Sequence, residues 1–316
     1  MSEGVVALVE DLPAEQVALM QNVLPSSYRL VDGGIANADA VVVRDGVVDA
    51  VLLSGAQRLR RVVKIDVGSG SVDAEACAER GIEVAVVESP SLMSVAEHAV
   101  MSMLILFKRV VGAAERLRAG TIVGGVEPTV TTQESYAYNW VGLEHFDALW
   151  GQTIGLVGLG RIGSHAAKLL RAFGADVVYT KRNRLPADEE AASDVRYLPF
   201  DELLQASRCV SLHNRFTAET EQMMGEREFG LMQDGSFFVN TARGRLVDER
   251  ALVRALASGR LAGAALDVFW LEPLPPDSPL LSAPNLLLTP HTAGIPTAES
   301  QVLELREAAR RAVAGL

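Results

Sequence analysis

Short apolar runs alternate with helical patterns along most of this 316-residue chain. The runs VVALVE, YRLVD, AVVVR, RVVKID and IEVAVVE follow one another between residues 5 and 88, with helical stretches between them. A second series starts at QTIGLVGLG (152–160) and continues through DVVYT, CVSLH, SFFVN, GAALDV and NLLLTPH. Strands that alternate with helices form βαβ units, in which helices cover both faces of a parallel sheet. We therefore predict an α/β protein with two doubly wound lobes, which suits a chain of this length.

Three further segments connect or follow these units. A long apolar helix is predicted from about Ser94 to Arg118, and the loop GTIVGGVEPTVTTQESYAYNW (120–140) comes after it. Loops of this length are uncommon inside compact domains unless they have a function, so we expect this one to serve a partner subunit or a lid. The stretch 297–316 is amphipathic and is predicted to form a helix that returns to the first lobe.

Charge and cysteine content disfavour several classes of protein. The formal net charge is −11, whereas phosphate contacts need a positive field, so no nucleic-acid partner is expected. Cys77 and Cys209 lie far apart without metal-ligand spacing, which predicts no disulfide framework and no metal site, and fits a reducing compartment. The start MSEGVVALVEDLP carries acids where a signal peptide needs cations, and the longest apolar run (99–107) is far shorter than the roughly 20 residues of a membrane helix. We expect a cytoplasmic protein without a membrane partner.

A glycine-rich turn opens the second series. The segment TIGLVGLGRIGSHAAKLLRAFG contains G-x-G-x-x-G at Gly158, Gly160 and Gly163, after a predicted strand and at the start of a predicted helix. The first glycine permits a tight turn, the second lets backbone approach a pyrophosphate, and the third lets the helix pack close to the strand. The helix N-terminus then faces the anion. In this context the pattern predicts a dinucleotide site; without a ligand it would be only a tight βα turn.

Several longer segments together resemble one known family. They occur in that family's order and at its approximate spacing: VAEHAVMSMLILFKR (95–109), LWGQTIGLVGLGRIG (149–163), DELLQASRCVSLHNRFTAET (201–220), NTARGRLVDERALVRAL (240–256), GAALDVFWLEP (263–273) and LTPHTAG (288–294). On these residues the chain resembles the D-isomer-specific 2-hydroxyacid dehydrogenases, the family of phosphoglycerate, glyoxylate/hydroxypyruvate and D-lactate dehydrogenases. The resemblance covers nearly the whole chain.

The resemblance implies an organisation of two Rossmann-like or flavodoxin-like lobes with the active site in the cleft between them. Residues 1–96 plus 295–316 would form the substrate-binding domain, and residues 97–294 would form the dinucleotide-binding domain. It also implies a homodimer held mainly through the nucleotide domain. The activity it implies is NAD(P)-dependent reduction of a small 2-oxo acid to the D-2-hydroxy acid.

This reduction requires an anchor for the carboxylate, a proton for the carbonyl oxygen and a hydride. The resemblance assigns the first two tasks to Arg243 of NTARG, Glu272 of WLEP and His291 of LTPH. The residue types suit these tasks. A guanidinium offers a planar fork of donors to a carboxylate. Imidazole can donate and accept a proton near neutral pH, and a carboxylate beside it orients the ring. The hydride comes from the cofactor.

The resemblance also implies contacts to the rest of the cofactor. Arg161 and Ile162 would offer backbone amides to the pyrophosphate. Thr241 and Asp267 would lie near the nicotinamide amide, although the acid could instead be a turn or cap residue.

Two loops carry the remaining expected contacts. The segment LHNRFTAET would contact the cofactor, although the family usually has proline where this chain has arginine; its expected contacts are Asn214, Arg215 and Thr220. The first-lobe loop KIDVGSGSVD (64–73) would receive the substrate carboxylate on backbone amides, which are those of Gly68, Ser69 and Gly70.

The stretch VVYTKRNR (177–184) bears on which nicotinamide cofactor is used. An acid that holds the two ribose hydroxyls is expected about 20 residues after the glycine-rich turn, and Thr180 stands there instead. Lys181, Arg182 and Arg184 follow it and could neutralise a 2′-phosphate. We predict that NADP(H) is preferred and NAD(H) possible, with Arg182 as the phosphate contact, since glyoxylate/hydroxypyruvate reductases have an arginine near this position. The alternative is that these cations form a solvated face of a βα loop.

Two other functions stay open at the level of sequence. A phosphite-type dehydrogenase on the same fold keeps the same three residues, whereas formate enzymes usually carry glutamine where this chain has Glu272. The second alternative is a non-catalytic, NAD(H)-sensing corepressor built on this fold, which the acidic balance disfavours. The identity of the 2-oxo acid is not determined by the sequence.

Overall fold

A computed structural model describes residues 4–66, 71–144, 146–295 and 297–316. The chain divides into two compact units. Unit 1 consists of Met1–Ser94 and Gly294–Leu316, and unit 2 consists of Val95–Ala293.

Strands and helices alternate along both units. The strands are β1 (Gly4–Leu8), β2 (Tyr28–Asp32), β3 (Ala40–Val43), β4 (Val47–Val48), β5 (Arg61–Ile65), β6 (Ser71–Val72), β7 (Glu83–Val87), β8 (Thr153–Val157), β9 (Asp176–Thr180), β10 (Arg196–Tyr197), β11 (Cys209–Leu212), β12 (Ser236–Asn240), β13 (Leu261–Leu266) and β14 (Leu286–Leu288). The α-helices are α1 (Ala14–Gln21), α2 (Ala50–Gly55), α3 (Ala74–Glu79), α4 (Ser91–Phe107), α5 (Val110–Arg118), α6 (Arg161–Ala172), α7 (Ala187–Ser193), α8 (Phe200–Ala206), α9 (Glu226–Leu231), α10 (Glu249–Ala257) and α11 (Ala298–Val313).

Unit 1 is built on a parallel sheet with the strand order β2-β1-β3-β5-β7. Its central strand β3 has the sequence AVVV, and all four residues are buried. A continuous run of β-branched residues is typical of a strand that is covered on both faces. One face packs against α11, through Leu305, Ala308 and Ala312, and the other face packs against side chains that include Leu53 of α2 and Cys77 of α3.

Unit 2 contains a second parallel sheet, with the strand order β10-β9-β8-β11-β12-β13-β14. The order runs in one direction from β8 to β10 and in the other from β8 through β11 to β14, so it reverses between β8 and β11. In an open α/β sheet a ligand binds beyond the carboxyl ends of the strands at this reversal. The prediction of doubly wound, parallel α/β sheets is confirmed.

The connection between the two series differs from its prediction. One helix from about Ser94 to Arg118 was expected, but α4 ends at Phe107 and α5 starts at Val110, with a bend of 55° between them. Arg109 adopts a left-handed conformation with φ 53°, which interrupts the helical hydrogen-bond pattern. Its guanidinium donates to the carbonyl oxygen of Ala262 at 2.9 Å, and this contact to β13 holds the break in place.

Within the described residues, no single helix is long and apolar enough to cross a membrane, and only the bent pair α4 and α5 would reach that length and composition together. The described residues between Arg118 and Thr153 form neither a helix nor a strand, as expected for the long loop.

Candidate functional site

The glycine-rich turn joins β8 to α6. Gly158 has φ 98°, and a Cβ there would lie 2.7 Å from the backbone nitrogen of Asn214, so only glycine fits. A Cβ on Gly163 would lie 2.4 Å from the carbonyl oxygen of Gly158, so this glycine lets α6 start against the turn. Gly160 has nothing within 4 Å of the Cβ position and provides no side-chain cap for the helix that starts at Arg161. This turn leaves room for a ligand at the helix N-terminus, where Arg161 and Ile162 lie.

Three buried polar atoms near this turn have no hydrogen-bond partner among the described residues. They are His213 Nδ1, Asn214 Oδ1 and Thr241 Oγ1, and they follow the carboxyl ends of β11 and β12 beside the reversal of strand order. Burial lowers the pKa of His213 to about 4, so its imidazole is neutral at neutral pH. A buried polar group without a partner costs about 1–3 kcal/mol, which a polar ligand would recover. The turn and these atoms fit a dinucleotide.

The segment after β9 contacts the same turn. The carbonyl oxygen of Thr180 accepts a hydrogen bond from the Gly158 N–H at 2.8 Å. Lys181 Nζ donates to the carbonyl oxygen of Leu159 at 3.3 Å, which places its charge beside the glycine-rich turn.

The two arginines of this segment differ in their surroundings. Arg182 pairs with Glu219 at 2.8 Å, and both side chains are about three-quarters exposed. Arg184 forms two hydrogen bonds, of 2.7 and 2.8 Å, to the buried carboxylate of Glu190, which also accepts from the hydroxyl of Tyr179. Arg184 therefore holds the segment in shape, and its guanidinium is occupied.

The loop after β11 carries the other expected cofactor contacts. Asn214 Nδ2 lies 3.2 Å from Met223 Sδ, and Arg215 is exposed. The hydroxyl of Thr220 accepts from the Thr217 N–H at 2.8 Å and lies 3.2 Å from the carbonyl oxygen of Arg215. Thr220 thus folds its own loop back on itself.

Arg243 follows β12 in a turn that two neighbours shape. The buried side chain of Asn240 donates to the carbonyl oxygen of Arg243 at 2.9 Å and accepts from the Ala242 N–H at 3.0 Å. A Cβ on Gly244 would lie 1.9 Å from the carbonyl carbon of Phe269, so glycine permits the turn to press against the segment after β13. The side chain of Arg243 is exposed, and its positive charge acts on the carboxylate of Glu272, which follows β13.

Glu272 and His291 form a direct pair. Nδ1 of His291 lies 2.7 Å from Oε2 of Glu272, and the other oxygen, Oε1, accepts from the Phe269 N–H at 2.9 Å. Burial raises the pKa of Glu272, but the hydrogen bonds from His291 and Phe269 and the charges of His291 and Arg243 outweigh it. The net pKa is below its usual range. Since an ionised carboxylate only accepts, His291 donates from Nδ1, and its Nε2 takes no part in this pair.

A buried carboxylate holds the loop that carries His291. Asp267 is 1% exposed, and its Oδ1 accepts from the hydroxyl of Thr289 at 2.6 Å and from the Thr292 N–H at 2.9 Å. Its Oδ2 accepts from the Ala293 N–H at 2.9 Å. These bonds lie on both sides of His291, whose φ of 54° is unusual for a side chain larger than glycine. Asp267 therefore acts on the loop through both of its oxygens.

Unit 2 contains both the catalytic candidates and the turn residues predicted from sequence. The expected substrate loop, Gly68, Ser69 and Gly70, lies outside the described residues. Asn240 and Thr289 were not singled out from sequence. Their signal is a polar residue directly after a strand, where loop backbone groups need partners.

Comparison with known proteins identifies a family. The model of the family described as D-isomer specific 2-hydroxyacid dehydrogenase, NAD binding domain, matches residues 100–293. The chain is 34% identical over 279 residues to the glyoxylate reductase of Korarchaeum cryptofilum, which covers 88% of this chain and 80% of that protein. It is 34% identical over 278 residues to glyoxylate/hydroxypyruvate reductase B of Escherichia fergusonii, with coverage of 87% and 81%.

A solved structure shows the same similarity in three dimensions. The crystal structure of a glyoxylate reductase from Paecilomyes thermophila matches with a TM-score of 0.68 and 28% identity. The match covers 98% of this chain and 97% of that one.

Proposed function

Since the chain belongs to the D-isomer specific 2-hydroxyacid dehydrogenase family, it is an oxidoreductase acting on a CH–OH group with a nicotinamide cofactor, and we propose that it reduces a small 2-oxo acid to the D-2-hydroxy acid. The observation that carries the proposal is the 2.7 Å pair between His291 and Glu272, with the charge of Arg243 acting on the same carboxylate.

His291 is the proton donor in this proposal. As a hydride arrives at the carbonyl carbon, negative charge develops on the carbonyl oxygen, and Nε2 of the imidazolium gives it a proton. Glu272 stays ionised because its pKa is below its usual range, so it stabilises the imidazolium and orients the ring. In the reverse direction the neutral imidazole accepts the proton of the hydroxyl. The nicotinamide supplies or accepts the hydride when it is bound.

Arg243 is the proposed anchor for the substrate carboxylate. Its turn is fixed by Asn240 and by the close approach at Gly244, while the guanidinium stays exposed. A planar guanidinium can bind a carboxylate through two parallel hydrogen bonds, which fixes the orientation of the carbonyl group as well as its position. This arrangement supplies the proximity and orientation that the hydride step requires.

We propose that one unit binds the dinucleotide and the other binds the substrate. Residues 97–294 would bind the dinucleotide, with pyrophosphate at Gly158–Gly163 and nicotinamide near Thr241 and Asp267. Residues 1–96 plus 295–316 would bind the substrate. The buried atoms without partners at Asn214 and Thr241 support the first assignment.

We further propose that NADP(H) is preferred over NAD(H). Thr180 carries no charge to repel a 2′-phosphate, and Arg182 lies two residues beyond it with an exposed partner, Glu219. An exposed ion pair is worth only about 0–1 kcal/mol, so a doubly charged phosphate can take the guanidinium from this glutamate. Arg184 has its own buried partner and leaves this task to Arg182.

The function is tested by a panel of 2-oxo acids assayed with NADH and NADPH in parallel, with chiral analysis of the product. The proposal expects turnover on at least one 2-oxo acid and a D-configured product wherever the product has a stereocentre. Phosphite is assayed alongside with NAD+ and NADP+, because its oxidation consumes the oxidised cofactor, and turnover of phosphite alone would replace the proposal with the phosphite alternative. Cofactor binding without turnover on any substrate would favour the sensing role.

A homodimer is proposed from an apolar surface within unit 2. An open groove of about 570 Å³ is lined by side chains that include Leu117, Tyr138, Trp140, Leu143 and Phe146. Tyr138 is 83% exposed in the single chain, and exposed apolar patches of this kind mark interaction sites. Sedimentation should give the mass of two chains, and Trp140→Glu should shift it toward one chain more than Val51→Glu, an exposed position in unit 1. A parent that sediments as one chain at micromolar concentration rules the dimer out.

We also propose that the protein is cytoplasmic. Cys77 and Cys209 are free and buried, which is compatible with the reducing cytoplasm.

A further inference from the structure

A histidine outside the proposed catalytic set contacts the loop that carries His291. His98 lies on α4, its side chain is 13% exposed, and Nε2 lies 3.0 Å from the hydroxyl oxygen of Thr289. The same Nε2 lies 3.8 Å from Oδ1 of Asp267. Burying a polar ring to this extent has a cost unless it forms a hydrogen bond.

The direction of the hydrogen bonds follows from their chemistry. Both oxygens of Asp267 accept backbone N–H groups of the loop, from Thr292 and Ala293, so this carboxylate acts as an acceptor. The one hydroxyl hydrogen of Thr289 therefore goes to Asp267, at 2.6 Å. The lone pairs of that hydroxyl remain, and His98 must donate to them from a protonated Nε2.

We propose that His98 is a positioning residue for His291. The chain of bonds runs from His98 through the Thr289 hydroxyl to Asp267, and Asp267 in turn holds the residues after His291. Strained backbone such as the φ of 54° at His291 persists only when its surroundings define it from several sides, and His98 supplies the contact from α4. The inference rests on the proposed acid–base role of His291.

Loss of this donor leaves the Thr289 hydroxyl free to rotate away from Asp267. The loop before His291 then has one fixed contact fewer, and Nε2 of His291 samples positions outside hydrogen-bond reach of the substrate. A displacement of about 1 Å at a reacting group can cost roughly 10²-fold in rate. His98→Leu should therefore lower kcat by about 10-fold or more.

The kinetic experiment separates positioning from a general loss of structure. His98→Leu should lower kcat while the dissociation constant of NADPH, measured by fluorescence, stays within about threefold, because the hydrogen bond of His98 is to Thr289 and the proposed pyrophosphate and 2′-phosphate contacts are other residues of unit 2. His98→Gln, whose amide can donate in place of Nε2, should recover most of the turnover. Met101→Leu, the same substituent at an exposed position of α4, serves as the matched control.

The decisive comparison uses a His291→Ala background. If His98 acts only through His291, adding His98→Leu there should change the residual rate by less than about twofold. An equal loss in both backgrounds, or a His98→Leu variant with parental kcat, would overturn the proposal.

A readout independent of activity keeps this result separate from the proposed function. Long-range ¹H–¹⁵N NMR of the parent imidazoles should show His98 with its proton on Nε2. A proton on Nδ1 alone would overturn the proposal even if the enzyme is active. If the parent reduces no 2-oxo acid, the function fails while the NMR result still decides the hydrogen-bond chain.

Discussion

The two ends of the proposed cofactor site in unit 2 are built differently. At the catalytic end, a carboxylate that is 1% exposed holds the loop of His291, and a glycine presses the turn of Arg243 against the neighbouring segment. At the adenosine end, the cation expected to read the cofactor is an arginine in an exposed pair with Glu219. The first geometry is fixed before a ligand binds, whereas the second can change its partner. Under the proposal, catalysis uses the fixed positions of the first end, and cofactor choice depends on whether a 2′-phosphate replaces Glu219 as the partner of Arg182.

The largest effects are expected from the catalytic end. His291→Ala and Glu272→Ala should each lower kcat by about 10²–10⁴-fold, because a positioned proton donor and its orienting carboxylate are lost. Arg243→Ala should also raise KM, because the substrate carboxylate loses its anchor. Steady-state kinetics on the best 2-oxo acid measures these effects, with circular dichroism as the control for folding. Near-parental kcat/KM in all three variants would show that this end of the site does not carry the catalytic residues.

A second prediction concerns the close approach that fixes Arg243. Gly244→Ala places a Cβ 1.9 Å from the carbonyl carbon of Phe269, so one of the two segments must move. We expect kcat to fall by roughly 10²-fold and the free energy of unfolding to fall by about 1–3 kcal/mol. Gly230→Ala is the control, because nothing lies within 4 Å of its Cβ position. Equal stability and turnover in the two variants would contradict the argument.

The sequence predicted most of the fold because both signals it used are local. Apolar runs of β-branched residues marked the strands, and the glycine pattern marked the turn between β8 and α6. The break at Arg109 was not predicted, because the contact found there is to Ala262 in β13, a strand far along the chain. The apolar periodicity continues through the break, so the sequence alone reads it as one helix.

The candidate site follows the same division. Arg243, Glu272 and His291 could be named from their motifs, and the structure brings Glu272 and His291 to 2.7 Å. The ion-pair partners of the cations after β9 could not be predicted from the sequence. Lys181, Arg182 and Arg184 look alike there, yet Arg184 is bound to a buried glutamate and Arg182 to an exposed one. Which acid pairs with each arginine depends on the folded structure, and so does the burial of that acid. Neither follows from the local sequence.

Cofactor choice provides the third prediction and tests the adenosine end alone. Arg182→Ala should lower kcat/KM for NADPH by about 10-fold and change kcat/KM for NADH much less, because only the first carries a 2′-phosphate. Glu219→Gln should shift the ratio toward NADPH by a few fold, since it removes the competing anion. Glu221→Gln, on the same loop, pairs with Arg245 instead and is the matched control. A parent that uses both cofactors equally, or an Arg182→Ala variant with an unchanged ratio, would show that Arg182 belongs only to a solvated surface.

The smallest effect on turnover is expected from the buried carboxylate of Glu190, which binds Arg184 of the segment after β9. The hydrogen bond from Arg184 and then the one from Tyr179 lower the pKa of Glu190 to about 2. A pKa below the unfolded value contributes stability that is present above about pH 4.5 and is lost as the pH falls toward about 2. Glu190→Gln should leave turnover near neutral pH close to the parental value and should lower the urea midpoint there.

The sign of the pH dependence decides whether this buried pair behaves as argued. The difference in urea midpoint between parent and Glu190→Gln should be largest near pH 7 and should shrink as the pH falls from about 4.5 toward about 3, because the parental carboxylate then loses its advantage over glutamine. Asp188→Asn, on the same helix α7, is the control and should show no such convergence. A midpoint difference that stays constant across this range would mean that the pair contributes packing and not charge. A difference that shrinks as argued would mean that an ionised, buried carboxylate holds the segment after β9, as the carboxylate of Asp267 holds the loop of His291, so that of the two arginines only Arg182 has an exposed partner that a ligand can replace.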